Sequence, residues 1–140
     1  MSRTGVLTVL VLAAALALPA SASAAKNGTY VGKDEGQVKV VMKIKNNRVT
    51  YFKGTPYGTC YGTPPMGITF KYPSAAQRPS ASSKIKANGV FSAVFKGSPN
   101  VSFKDDQRVL TGRVKGRKVT GRMIVSGLCQ VDQKFTATRR

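Results

Sequence analysis

The residue type best placed to do covalent chemistry is cysteine, present only at Cys60 and Cys129, and the 140-residue chain has no histidine. Lack of histidine removes the usual general base, the Ser-His-Asp triad and most transition-metal ligand sets. Two cysteines alone do not make a zinc site. The five carboxylates lie at Asp34-Glu35, Asp105-Asp106 and Asp132. Neighbouring carboxylates on a strand point to opposite faces, and both pairs sit in turn-like contexts where Asp is ordinary. Calcium-loop spacing is missing at Asp105-Asp106. Ser83-Lys84 lacks the S-x-x-K pattern and any nucleophile elbow, and no Gly-rich run has the strand–loop–helix setting of a phosphate loop. The expectation is therefore no catalytic residue, no metal, no cofactor and no enzyme. A hydrolytic pair would need carboxylates from separate clusters to converge in one cleft.

Charge offers a different chemistry. Lys and Arg number 23 against five Asp and Glu, a formal charge of +18. Such an imbalance favours anionic partners: envelope polymers, anionic lipid head groups, nucleic acid or acidic polysaccharide. It is equally compatible with a self-repelling soluble surface that has no particular partner. The candidate polyanion-binding residues are Arg113, Lys115, Lys118 and Arg122 on one stretch, with Lys39, Lys43 and Lys45 on another. If the two stretches lie side by side they form a basic stripe. Stacking on nucleic-acid bases would require exposed aromatics among them. Phe52, Tyr57 and Tyr61 are available, but the pattern is not that of an RNA-binding or cold-shock motif. Tyr57 and Tyr61 flank Cys60 in a loop, and Tyr-rich loops make adaptable contacts. The alternative function is thus a binding module or inhibitor that uses loops 56–66 and 73–83 against a protein or small ligand. A simpler expectation is that both tyrosine rings cover a disulfide.

The chain's beginning sets the compartment. Arg3 is followed by the apolar run Val6–Leu18, then Pro19 and the small residues Ala20-Ser21-Ala22-Ser23-Ala24. This is the pattern of a secretory signal, with cleavage expected after Ala24. The run is shorter than the roughly 20 residues that span a bilayer, so no transmembrane anchor is expected. Residues 25–140 then form one secreted or envelope-associated domain, read as a monomer. In an exported chain an even cysteine pair reads as one disulfide, Cys60–Cys129. Asn27-Gly28-Thr29 and Asn100-Val101-Ser102 match the glycosylation sequon, which is short enough to recur by chance.

Period-two alternation positions these residues, and no helical period appears after the leader. Gly28–Lys33 is a first strand. Val38, Val40, Met42 and Ile44 alternate with lysines in a second. Asn46-Asn47 makes a two-residue turn, which places Ile44 opposite Val49 and Met42 opposite Tyr51, with Phe52 on the outer face. Residues 54–67 read as irregular and Ile68–Tyr72 as a short strand. Residues 73–83 read as a polar mobile loop. Ile85 faces Phe91 across Ala87-Asn88-Gly89. Residues 97–100 read as a turn and Val101–Lys104 as a short strand. Arg108–Ser126 is a hairpin about Gly116-Arg117, with Leu110 opposite Met123, Gly112 opposite Gly121 and Val114 opposite Val119. A last strand starts near Cys129 and reaches Ala137. The expected core is Tyr30, Val38, Val40, Met42, Ile44, Val49, Tyr51, Ile85, Phe91, Phe95, Leu110, Val114, Val119, Met123, Val125 and Phe135. About nine or ten short strands predict an all-β fold, a single antiparallel sandwich or small up-and-down barrel.

Gly28–Lys33, the Lys/Val alternation, Cys60, Gly112–Gly121 and the closing Cys129 to Arg139 together resemble small secreted all-β proteins of actinobacteria. That resemblance implies an exported, disulfide-linked β-domain and supplies no catalytic residue. Gly28-x-Tyr30-x-Gly32 is also similar to the opening of avidin- and lipocalin-type barrels, although the chain has no Trp.

Overall fold

A computed structural model describes residues 24–74, 83–97 and 105–140. The leader up to residue 23, most of the 73–83 loop, the expected Val101–Lys104 strand and the second sequon fall outside them. Among the described residues ten strands form: β1 Gly28–Asp34, β2 Lys39–Lys45, β3 Arg48–Gly54, β4 Tyr57–Cys60, β5 Met66–Gly67, β6 Phe70–Tyr72, β7 Val90–Lys96, β8 Gln107–Lys115, β9 Lys118–Ser126 and β10 Cys129–Arg139. Hydrogen-bonded neighbours run β6-β3-β2-β1-β10-β9-β8-β7, all antiparallel. The chain is therefore an up-and-down meander whose first and last strands pair. β4 and β5 form a side hairpin attached to β10.

The sheet curls into a nearly closed barrel. Its seam lies between β6 and β7, where side chains take over from the ladder. Phe95 meets Phe70 edge-on at 5.3 Å and Tyr72 at 5.0 Å between ring centroids. The Arg108 guanidinium, itself buried, donates to the Thr69 carbonyl at 2.8 Å. At the other end of the seam, Ile85 N donates to Asn47 O, and Arg48 bridges Lys84. Inward residues of every long strand fill the axis, with Tyr30, Met42, Phe52, Phe70, Tyr72, Phe91 and Leu110 all fully buried. Alternation explains why: one face of each strand is apolar, and burying it requires the sheet to close on itself.

The register departs from simple alternation at β3. Lys43 pairs with Tyr51, whereas Ile44 pairs with Val49, so Thr50 is the extra residue of a bulge. Consequently Phe52, not Tyr51, stands opposite Met42 and enters the core, packing on Phe70 and Phe135 at 5.8 and 4.9 Å. Tyr51 turns outward beneath the Lys43 ammonium, 5.6 Å from its ring centroid. Val38 also leaves the expected core and is 37% exposed. Gln37 adopts φ 64, and Val38 N donates to Asp34 Oδ1, which places Val38 in the turn before β2. Residues 54–67 contain β4 and β5 where irregular chain was expected.

The disulfide joins Cys60 to Cys129, directly opposed residues of β4 and β10. Both are buried, and the bond closes a loop of 69 residues' separation. Loop closure of that length stabilises by about 4 kcal/mol in the chain-entropy account. Both asparagines of the Asn46-Asn47 turn have positive φ, 51 and 56, as a two-residue hairpin turn requires.

Candidate polyanion-binding rim

An up-and-down barrel delivers its turns alternately to two ends. One end gathers the 46–47 turn, the 83–89 segment, the 116–117 turn and both ends of the folded chain. Hydrogen bonds link these pieces into a ring. Asn46 N donates to Asn27 Oδ1 at 2.9 Å, and Arg140 N donates to Thr29 O at 3.0 Å. Arg139 N donates to Arg117 O, and the Arg117 guanidinium donates back to Arg139 O at 3.1 Å. Val114 N donates to Gly89 O at 2.9 Å, and Ile85 N reaches Asn47 O at 2.9 Å, completing the circuit. The Asn27 side chain of the first sequon is thereby tied into the rim.

Every one of these segments carries cations. Lys43, Lys45 and Arg48 flank the first turn, and Lys84 and Lys86 come from the segment beside it. Arg113, Lys115, Arg117 and Lys118 surround the second turn, with Lys26, Arg139 and Arg140 at the chain ends. Like charges face one another at Lys45/Arg48 and Lys115/Lys118. Such pairs cost a few tenths of a kcal/mol each, on the order of 0.2–1. No Asp or Glu lies among these segments. All five carboxylates belong to the opposite half.

In that opposite half four of the five acids are engaged structurally. Asp106 is buried, and its two oxygens accept from Leu128 N at 2.9 Å and Cys129 N at 2.8 Å, locking the turn before β10. Asp34 Oδ1 accepts from Val38 N at 2.9 Å, while its buried Oδ2 has no protein partner. Glu35 accepts from Lys134 N at 3.1 Å, and Asp132 accepts from Arg122 Nε at 2.8 Å. Burial pulls the Arg108 guanidinium below its ordinary pKa, and the nearby Asp106 charge opposes that pull. At the rim, burial pushes the Tyr30 phenol up against the opposing Arg139 charge, and its hydroxyl donates to Lys26 O at 2.8 Å.

Five of the seven basic residues singled out in the sequence meet at this rim: Lys43, Lys45, Arg113, Lys115 and Lys118. The two hairpins are not sheet neighbours, because β1 and β10 lie between them. Chain-end cations fill the gap. Lys39 stands instead opposite Lys33 at the far end of β2, and Arg122 is held by Asp132. Lys26, Arg48, Lys84, Lys86, Arg117, Arg139 and Arg140 complete the rim without having been singled out. Summing charge over alternate turns of a meander would have found them.

Tyr57 and Tyr61 do not cover the disulfide. They are 64% and 86% exposed at the acidic end, next to exposed Met66 and Leu128. Strand pairing of β4 with β10 buries the cysteines, leaving the rings outside. Among the described residues no three Asp, Glu or Cys gather as a metal-ligand group. No helix among them is long and apolar enough to cross a membrane.

Fold and site define a disulfide-linked, all-β meander barrel in which one end carries twelve of the described lysines and arginines and none of the carboxylates. Comparisons of the chain with protein-family models, curated proteins and solved structures return no match.

Proposed function

We propose that the chain is an exported, non-enzymatic domain that associates through its basic rim with anionic polymers of the cell envelope or its surroundings. The observation that carries this reading is the separation of charge: a hydrogen-bonded ring of cation-bearing segments faces one way, and every carboxylate lies in the other half. Charges gathered on one surface focus a field that evenly scattered charges do not. Export follows from the leader pattern of residues 1–24, and a buried disulfide fits an oxidising compartment. Retention on immobilised heparin tests the reading. Elution above about 150 mM salt supports it, and elution below overturns it, because screening at that ionic strength already weakens diffuse attraction. Mass measurement of the secreted chain tests the leader, with cleavage after Ala24 expected.

A second reading rests on the opposite end. Exposed Tyr57, Tyr61, Met66 and Leu128 surround a disulfide-fixed hairpin, which suits a protein partner. Capture of a partner that is lost on Tyr57→Ala would favour it.

A further inference from the structure

The outer wall holds a second feature that the rim does not explain. Gly112 and Gly121 face each other across β8 and β9. On the inner side the Phe91 ring lies 2.8 Å from where a Gly112 Cβ would stand, and the Phe135 ring lies 2.7 Å from a Gly121 Cβ. Only residues without side chains let the sheet sink onto those two rings. Outside, the same place is a depression of about 430 Å³. Its walls are Thr111, Arg113, Thr120, Arg122, Lys134 and Thr136. Register brings these together in two rows: Arg113–Thr120–Thr136 and Thr111–Arg122–Lys134. Neighbouring residues in a row are about 5 Å apart and successive rows about 7 Å.

The mixture is informative. Cations alone would suit any polyanion. Here two hydroxyls able to donate and accept, Thr120 and Thr136, stand among the cations above a floor of Gly112, Gly121 and Phe135, while the Thr111 hydroxyl already donates to Phe91 O at 3.2 Å. Asp132 pairs with Arg122 through both Nε and Nη2, which makes that pair neutral and leaves Arg113 and Lys134, among the described residues, as the unpaired cations facing a guest. A ligand matching this surface carries anionic groups, hydroxyls and an apolar ring face together. Arg113 belongs both to the depression and to the rim, so one chain can run from one to the other.

We infer that the depression takes an acidic sugar unit, which makes the polymer recognised by this protein an acidic polysaccharide. This deepens the proposed rim function and rests on it. The test uses Thr120→Val with Thr136→Val. Both positions are exposed, and valine keeps strand preference and the methyl while removing the hydroxyl. The probes are a heparin-derived tetrasaccharide and a polyphosphate of equal charge, titrated calorimetrically at about 150 mM salt. Wild-type protein should prefer the tetrasaccharide about tenfold, and the double variant should lose that preference with polyphosphate affinity unchanged, as loss of two hydrogen bonds implies. Equal wild-type affinity for both probes, or an unchanged preference in the variant, overturns the inference while leaving the rim function standing. Binding of neither probe by wild type overturns both.

Discussion

The two ends of the barrel use charge for opposite purposes. At the acidic end four of the five carboxylates are bound to backbone amides or to an arginine: Asp106 to Leu128 and Cys129, Asp34 to Val38, Glu35 to Lys134, Asp132 to Arg122. There, charge holds turns in place. At the rim, cations stand beside one another with no acid between them, including the directly opposed pairs Lys45/Arg48 and Lys115/Lys118, whereas the opposed lysines of the other half, Lys33/Lys39 and Lys53/Lys71, share it with all five carboxylates. An arrangement that only stabilised the fold would separate them or intersperse acids. The difference teaches where selection for folding ends: removing a bonded carboxylate from the acidic end should destabilise the fold, and removing a cation from the rim should not.

The largest expected effect is at the acidic end. Replacing both Cys60 and Cys129 by Ala should cost about 4 kcal/mol in denaturant unfolding. Below the transition, heparin retention should remain, since the bond fixes β4 far from the rim. Loss of retention in a folded sample would break the contrast between the ends. Next, Asp106→Ala should cost about 3 kcal/mol, because it strips two charge-assisted bonds from buried or half-buried amides. A cost under about 0.5 kcal/mol would show that the acids are surface decoration. Smaller and opposite in sign, Lys45→Glu with Lys115→Glu should stabilise by a few tenths of a kcal/mol, on the order of 0.2–1 per relieved pair, while lowering the heparin elution salt. The smallest effect concerns Tyr30. Its folded pKa is raised, so the phenol's contribution is complete below the unfolded value near 10 and fades as pH rises through the folded value. Thermal unfolding should therefore be flat between about pH 8 and 9 from this group and fall above about 10, and Tyr30→Phe should flatten the decline.

Strand positions were legible because alternation is a local signal, and the β8–β9 hairpin follows it residue for residue from Leu110/Met123 to Lys115/Lys118. Departures arise where distant partners decide. Thr50-Tyr51-Phe52 offers two aromatics for one inward place, and Phe70 and Phe135, remote in sequence, select Phe52. Hairpin β4–β5 is hidden by its glycines and prolines because its own ladder is only two residue pairs and β4 also pairs with β10, remote in sequence. Val38 continues the alternation on paper, but Asp34 recruits its amide into the turn. For the rim, the hairpin lysines were visible. Lys26, Arg139 and Arg140 were not, because their place depends on β1 pairing with β10.

The central claim is that position, not total charge, gives the rim its role. Two triple variants with the same net charge test it. One carries Lys45→Glu, Lys115→Glu and Lys118→Glu at the rim, and the other carries Lys53→Glu, Lys71→Glu and Lys96→Glu in the opposite half, all exposed positions. Heparin elution in a salt gradient is the measurement. The rim triple should elute well before the other, which should stay near wild type. Coincident elution of the two triples would contradict the account and make the charge a property of the whole surface.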